Sequence, residues 1–306
     1  MSALDIVFTG FLISALRSAT PLLFVLVGET LTQRTGVINL GVEGQMLVGA
    51  MAGFGVAALT QNPWLGLLAG SGAGMLLSAV HAVLVVGAQA NQFASGLAVW
   101  MLGFGVSAFY GAGMVGSKLD GFAGTQAGSL AQLPVIGSVI AGMTPTVAMA
   151  VVLVPLAALW LTRTRTGLRW RAVGESMERA RAAGIRPRLV QVQAVLLGGL
   201  LSGLGGAALS VDYTRTWAEG MTAGRGLVAV GLVIVARWNP WWTLPAALLF
   251  GAAESLSLRL QAADSAISAQ LLHTLPYVVS LVVLTLTYLA RRDSGAPAGL
   301  KAVMER

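Results

Sequence analysis

Apolar residues fall in long runs along nearly the whole chain, separated by short polar stretches. A helix needs about 20 such residues to cross roughly 30 Å of hydrocarbon. The runs of that length are 6–27, 36–59, 64–85, 93–115, 138–161, 189–211, 241–260 and 271–290. A further run, Gly226 to Ala236, has only eleven residues and would rise about 17 Å. It is either a short tilted crossing or a half-helix buried among its neighbours. The pattern predicts an all-α polytopic membrane protein with about 8–10 transmembrane helices, occupying residues 1–306 as one transmembrane domain.

Composition rules out the soluble alternative. Hydrophobic residues make up 56% and charged residues 10%, against about 25% charged in a soluble domain. The mean hydropathy is +0.78. With no cysteine, disulfides, thiol catalysis and Cys-ligated metal are excluded. The two histidines, His81 and His273, lie far apart with no acidic cluster beside them, so no metal site is expected. Gly203 to Ala208 fits GxGxxA but lies within an apolar run with no preceding strand. Gly111 to Lys118 approaches a phosphate-binding loop but breaks its GK[ST] order. No catalytic set is visible, and no cofactor is expected in this chain. If ATP is used, another polypeptide must bind it.

The net charge of +7 is concentrated. Residues 162–188 hold eight arginines and two acids, Glu175 and Glu178. One basic loop between apolar runs reads as cytoplasmic, not as a nucleic-acid face. If the eleven-residue run crosses, nine crossings result. Fourteen Lys/Arg then lie inside, including those of a tail at 291–306. Four lie outside: Lys118, Arg215, Arg225 and Arg259. Arg17 sits within the first run, where an arginine is costly unless it faces protein. The alternative is that residues 2–16 lie flat at the interface and crossing starts near Thr20-Pro21.

Several polar groups stand at membrane depth. In 28–45, Asn39 and Glu43 are four apart, on one face of a helix. They either line a pathway or satisfy loosened backbone, with Arg34 or Arg17 as alternative partners for Glu43. A second group is Gln89, Asn91, Gln92 and Ser95. A third, Asp212 to Gly226, reads as an outer rim that meets a delivery protein or as an interfacial loop. Glu254 is a further pathway or helix-pairing candidate. Gly66/Gly70/Gly74, Gly49/Gly53 and Gly199/Gly203 recur every four residues, the spacing that lets membrane helices approach closely. Within 174–187, acids precede basic residues, Gly184 suits a helix end and Pro187 bars its return. A short helix results, either a docking knob or a solvated loop.

Four segments resemble a known family: GETLTQRTGVINLGVEGQMLVGA (28–50), NQFASGLA (91–98), GESMERARAAGIRP (174–187) and MTAGRGLVAVGLVIVARWNP (221–240). The chain is similar over roughly 15–290 to permease subunits of bacterial ABC importers of the branched-chain amino acid, ribose and nucleoside group. The first and last segments look closest to the nucleoside branch. The resemblance implies a bundle of the vitamin-B12-importer type in the bacterial inner membrane. It implies a second, longer permease as partner, two ABC ATPase subunits that use the ATP, and an extracytoplasmic solute-binding protein. It places the coupling to the ATPase at Gly174, Glu175, Glu178, Ala182, Ala183 and Gly184. Asn39, Glu43, Asn91, Gln92 and Ser95 are then the candidates for the substrate pathway of a nucleoside, or of a simple sugar such as ribose. A rival class, the ion-coupled secondary transporter, would use Glu43 and Glu254, but no clear internal duplication supports it.

Overall fold

The computed structural model describes residues 3–122, 139, 142–263, 267–289 and 295–300. Eleven helices follow one another among the described residues. The first are α1 (Ala3–Gln33), α2 (Val42–Thr60) and α3 (Pro63–Ala82, continued by a π-turn to Gly87). Then come α4 (Gln92–Gly111), α5 (Pro145–Arg163), α6 (Arg165–Glu175) and α7 (Met177–Ala182). The last are α8 (Pro187–Ala207, continued by a π-segment to Tyr213), α9 (Arg225–Val235), α10 (Thr243–Ala262) and α11 (Ala269–Leu289). The only β pairing among the described residues is an isolated bridge between Lys118 and Thr216. Sequence punctuation sets the starts. Asn62 and Asn91 cap α3 and α4 with their side-chain oxygens. Proline opens α3, α5 and α8, where its missing N–H costs nothing.

Seven described helices are long and apolar enough to cross a membrane: α1 to α5, α8 and α11. The chain is therefore a multi-pass membrane protein. The eleven-residue α9 and the 20-residue α10 are not among the seven.

Three helix limits differ from the sequence reading. The run at 36–59 does not begin as a helix, because residues 36–41 are irregular and α2 starts at Val42. In the run at 138–161, the helix α5 starts at Pro145 after non-helical Met143 and Thr144, and residues 138, 140 and 141 lie outside the described residues. The first run is one helix of 31 residues that passes through Pro21 without a break, about 46 Å long. Residues 3–16 are thus continuous in one helix with the stretch from Thr20-Pro21 onward.

The bundle is built around α1 and a glycine-lined contact of α2, α3 and α8. Leu22 to Val27 of α1 are each at most 2% exposed, so this stretch is enclosed on all sides. A Cβ on Gly203 would lie 2.2 Å from the Gly70 carbonyl oxygen. One on Gly49 would lie 2.4 Å from that of Gly203, and one on Gly74 2.4 Å from that of Gly199. Only glycine permits these approaches. The four-residue glycine spacing is a packing device, with dispersion rather than water exclusion as its driving force. Exposed apolar residues such as Met101, Phe109, Leu281 and Leu286 clothe the outer faces of α4 and α11.

Candidate functional site

The motif segments 28–50 and 221–240 meet around α9. At its N-terminus, Glu43 is 3% exposed. Its Oε1 accepts from the Thr222 hydroxyl at 2.6 Å and from Gly224 N at 2.8 Å. Its Oε2 accepts from Gly226 N at 2.6 Å and Leu227 N at 3.4 Å. A carboxylate thus fills the place where a helix leaves N–H groups unpaired and its dipole is positive. Neither Arg34 nor Arg17 is its partner. Gly226 makes this fit possible, since a Cβ there would lie 2.7 Å from Glu43.

The lock lies at mid-depth. Gly44 packs on Val99 and Trp100, and a Cβ on Gly103 would lie 2.6 Å from Gly44. These are central residues of α4. Starting from the Lys118–Thr216 bridge beyond the end of α4, the chain therefore descends into the bundle before α9 begins. Gly220 passes within reach of Phe104 on the way, 3.8 Å from a Cβ there. The segment ending at Gly226 thus dips from that bridge toward the middle of α4. Trp217, Thr222 and Gly226 anchor this non-helical backbone in the protein, while Ala218, Glu219 and Ala223 stay exposed.

Arg225 pairs with Glu254 of α10 at 2.5 Å, both side chains being 13–14% exposed. Arg225 also donates to the Met221 carbonyl, and Tyr277 of α11 donates to the Ala223 carbonyl at 2.6 Å. Upstream, Asp212 is buried and accepts from the Thr144 and Thr146 hydroxyls.

At its other end, α9 stops in two left-handed residues, Arg237 and Trp238 (φ +53° and +52°). Trp238 is 2% exposed. Its indole N–H donates to Gln33 Oε1 at 2.7 Å, and its carbonyl accepts from Arg34 Nε. Gln33 in turn donates to Glu29 at 3.0 Å. Burial pulls the Arg34 pKa below its usual value, with Glu175 opposing. Ten residues, 34–43, thus run from the C-terminal end of α9 to its N-terminal end.

This irregular segment is held by the other candidates. Asn39 lies before α2, so it shares no helix face with Glu43. Its amide pairs with that of Gln45, and its backbone N–H donates to Glu29 at 3.2 Å. Gln92 accepts from Ile38 N at 2.8 Å and donates to the Gly36 carbonyl. Ser95 meets His81 Nδ1 at 3.0 Å, and His81 Nε2 meets the Ile38 carbonyl at 3.1 Å. A carbonyl only accepts, so for a neutral ring Nε2 carries the proton and Nδ1 accepts from Ser95. Asn91 is exposed and caps α4 through Phe93 N and Ala94 N. The structure brings Asn39, Gln92 and Ser95 together around one loop, sets Glu43 apart at α9, and leaves Asn91 at the surface. Sequence reasoning passed over His81, Thr222 and Trp238. For Trp238 the signal was its place in Arg-Trp-Asn-Pro.

The basic segment forms two helices, α6 and α7, because Ser176 ends the first and caps the second by accepting from Arg179 N. Gly174 and Glu175 close α6. Gly174 is buried against Arg34, whose carbonyl oxygen would lie 2.0 Å from a Cβ. Glu178, Ala182, Ala183 and Gly184 are exposed on or after α7. The helix ends as the sequence predicts: Ile185 N donates to the Ala180 carbonyl and Gly184 N to that of Arg181, with Gly184 at φ +76°. A cleft of about 610 Å³ separates α7 from the Gln89–Phe93 turn, with Met177, Glu178 and Arg181 on one side and Asn91 on the other. Of the tail at 291–306, only 295–300 lies within the described residues. There Ala298 N donates to Glu175, and Leu300 is fully buried.

The chain matches the family model described as the branched-chain amino acid transport system permease component over residues 11–289. It is 38% identical to "Putative glucose ABC transporter permease protein TsgC13" of Haloferax volcanii, over 90% of this chain and 91% of that one. It is 31% identical to the guanosine ABC transporter permease protein NupQ of Bacillus subtilis, over 92% of both chains. It is also 31% identical to the nucleoside ABC transporter permease protein NupC of Lactococcus lactis, over 88% of this chain and 89% of that one. No solved structure matches the chain.

Proposed function

The chain belongs to the branched-chain amino acid transport system permease family, and on that premise we propose that it is the membrane subunit through which an ABC importer moves a nucleoside. It is a transport component rather than an enzyme. On this reading the bundle is of the vitamin-B12-importer type, lies in the bacterial inner membrane and pairs with a second permease. Two separate ATPase subunits supply the power, and an extracytoplasmic binding protein delivers the solute.

The observation that carries the reading is α7. Its polar, exposed surface at the basic end of an otherwise apolar bundle has the form of a knob for a soluble partner. With that knob in the cytoplasm, Gly184 sets its exit angle and Gly174 seats α6 on Arg34. Movement of the knob then reaches the α1–α2 segment directly. Asn39, Gln92 and Ser95 shape the pathway by holding that segment, and Glu43 does so by holding α9. A nucleoside suits a cavity of amide, hydroxyl and aromatic groups better than a ring of charges. Similarity to the guanosine and nucleoside permeases supports this solute class. A simple sugar is the second reading, favoured by the 38% identity to the glucose permease named above.

Uptake into vesicles reconstituted with the cognate subunits tests both levels. ATP-dependent uptake of labelled guanosine is expected, with an ATPase subunit copurifying. Uptake of glucose or ribose alone selects the second reading. Uptake that continues without ATP and collapses with an uncoupler overturns the importer assignment.

A further inference from the structure

We propose that the cleft between the first half of α1 and the last half of α10 binds the phosphate of an anionic membrane phospholipid, held by Arg17 and Arg259. The cleft measures about 340 Å³ and is lined by Ser14, Arg17, Tyr213, Ser255, Leu258 and Arg259, with Ala262 at its edge. No carboxylate is among these residues.

Arg17 is the group that demands an explanation. Ala15 and Ala19 pack on Gly251, central in α10, so Arg17 lies at membrane depth, where an unpaired guanidinium is costly. An ion pair joins Arg225 to Glu254. That pair engages Glu254 through Oε1, which Tyr213 also approaches at 3.5 Å. Arg17 has no such partner. Arg259 stands in the last turn of α10, beside Gly10 and over the Phe11 ring at 5.5 Å. That contact fixes its guanidinium on the α1 side of the cleft.

An independent observation points to a ligand. Ser255 is 2% exposed, lines the cleft, and its Oγ has no hydrogen-bond partner among the described residues. Two guanidiniums with a free hydroxyl and a tyrosine nearby form a donor set for a phosphate. The surroundings select its source. Leu258 of the lining is 45% exposed, and Val7, Phe8 and Leu256 elsewhere on the same two helices are 45–60% exposed, as befits acyl chains rather than water. Arg17 can extend its stem along this apolar wall to place its charge beside Arg259, and basic pockets between membrane helices recognise headgroups in this way.

The test is lipid retention by the purified full-length chain with its cognate subunits. After delipidation and exchange into phosphatidylglycerol, phosphatidylcholine or phosphatidylglycerol plus inorganic phosphate, bound lipid is counted by native mass spectrometry. Retention of phosphatidylglycerol over phosphatidylcholine is expected. It should fall about tenfold in Arg17→Gln/Arg259→Gln, the factor that about 1.4 kcal/mol of lost interaction gives, and recover in Arg17→Lys/Arg259→Lys. Equal retention of the two lipids by the unmodified protein overturns the proposal. So does retention that survives the glutamine variant, or loss of a subunit from the complex with retention unchanged. Displacement of the lipid by inorganic phosphate at millimolar concentration assigns the site to a soluble anion and overturns the lipid assignment. Should the glutamine variant fail to insert, the lipid comparison on the unmodified protein still decides.

Discussion

Two motif-bearing regions of this molecule, the half-helix α9 and the short helix α7, live in opposite surroundings. Around α9 the signature polar groups are turned inward onto one another: Glu43 onto the helix N-terminus, Arg225 onto Glu254, Trp238 onto Gln33 and Arg34. Around α7, Met177, Glu178, Arg179 and Arg181 are exposed. Polar residues at membrane depth must be satisfied within the protein, whereas those at a solvated end are free to meet another chain. A signature residue in the first region therefore reports architecture, and one in the second reports contact. That contrast predicts large stability effects near α9 and functional effects with little unfolding near α7.

The largest effect is expected at Glu43. Glu43→Ala leaves the buried Thr222 hydroxyl and Gly226 N–H without acceptors, at about 1–3 kcal/mol each, and the half-buried Gly224 N–H as well. Thermal unfolding of the purified protein should show a loss of several kcal/mol, and Glu43→Gln, which keeps one acceptor, a smaller one. Normal stability in the alanine variant with abolished uptake would break the contrast and return Glu43 to the pathway.

Next is the ion pair. Arg225→Met alone strands a carboxylate and should cost about 3–5 kcal/mol. Adding Glu254→Leu should recover most of that stability, since a buried pair replaced whole is often neutral. If the double variant is as unstable as the single, the pair is not the source of the loss.

How much of this was readable in advance depends on range. Local signals were: the long helices, the Gly184 stop and the glycine spacing follow from neighbouring residues, whereas Asn91, read as a pathway candidate, caps α4. The depth of Glu43 was not. A four-residue spacing from Asn39 suggested a shared helix face, but Asn39 precedes α2, and the partners of Glu43 lie about 180 positions away. Charge counting set Arg225 on the outer side but could not show that it pairs with Glu254, 29 positions away. His81 was read only as an absent metal ligand, and nothing local reveals that it bridges Ser95 to the Ile38 carbonyl.

At α7, Gly184→Val tests the other half of the contrast. A Cβ at Gly184 meets no neighbour, so only its left-handed backbone is at stake, at about 1–2 kcal/mol. The bundle should stay folded while the exit angle of α7 changes, and ATP hydrolysis by the reconstituted complex should uncouple from uptake. Normal transport by this variant would sink the coupling role of the knob.

The smallest effect falls on Asn91, which belongs to both regions. It caps α4, and it also faces α7 across the 610 Å³ cleft. Asn91→Ala removes the acceptor for Phe93 N and Ala94 N and should cost about 1 kcal/mol. Asn91→Ser keeps a capping oxygen and should restore that stability within a few tenths. If uptake recovers along with stability, Asn91 is a cap and nothing more. If the serine variant is as stable as the unmodified protein but transports slowly, the amide acts on whatever occupies the cleft. The border between architecture and contact would then run through a single side chain.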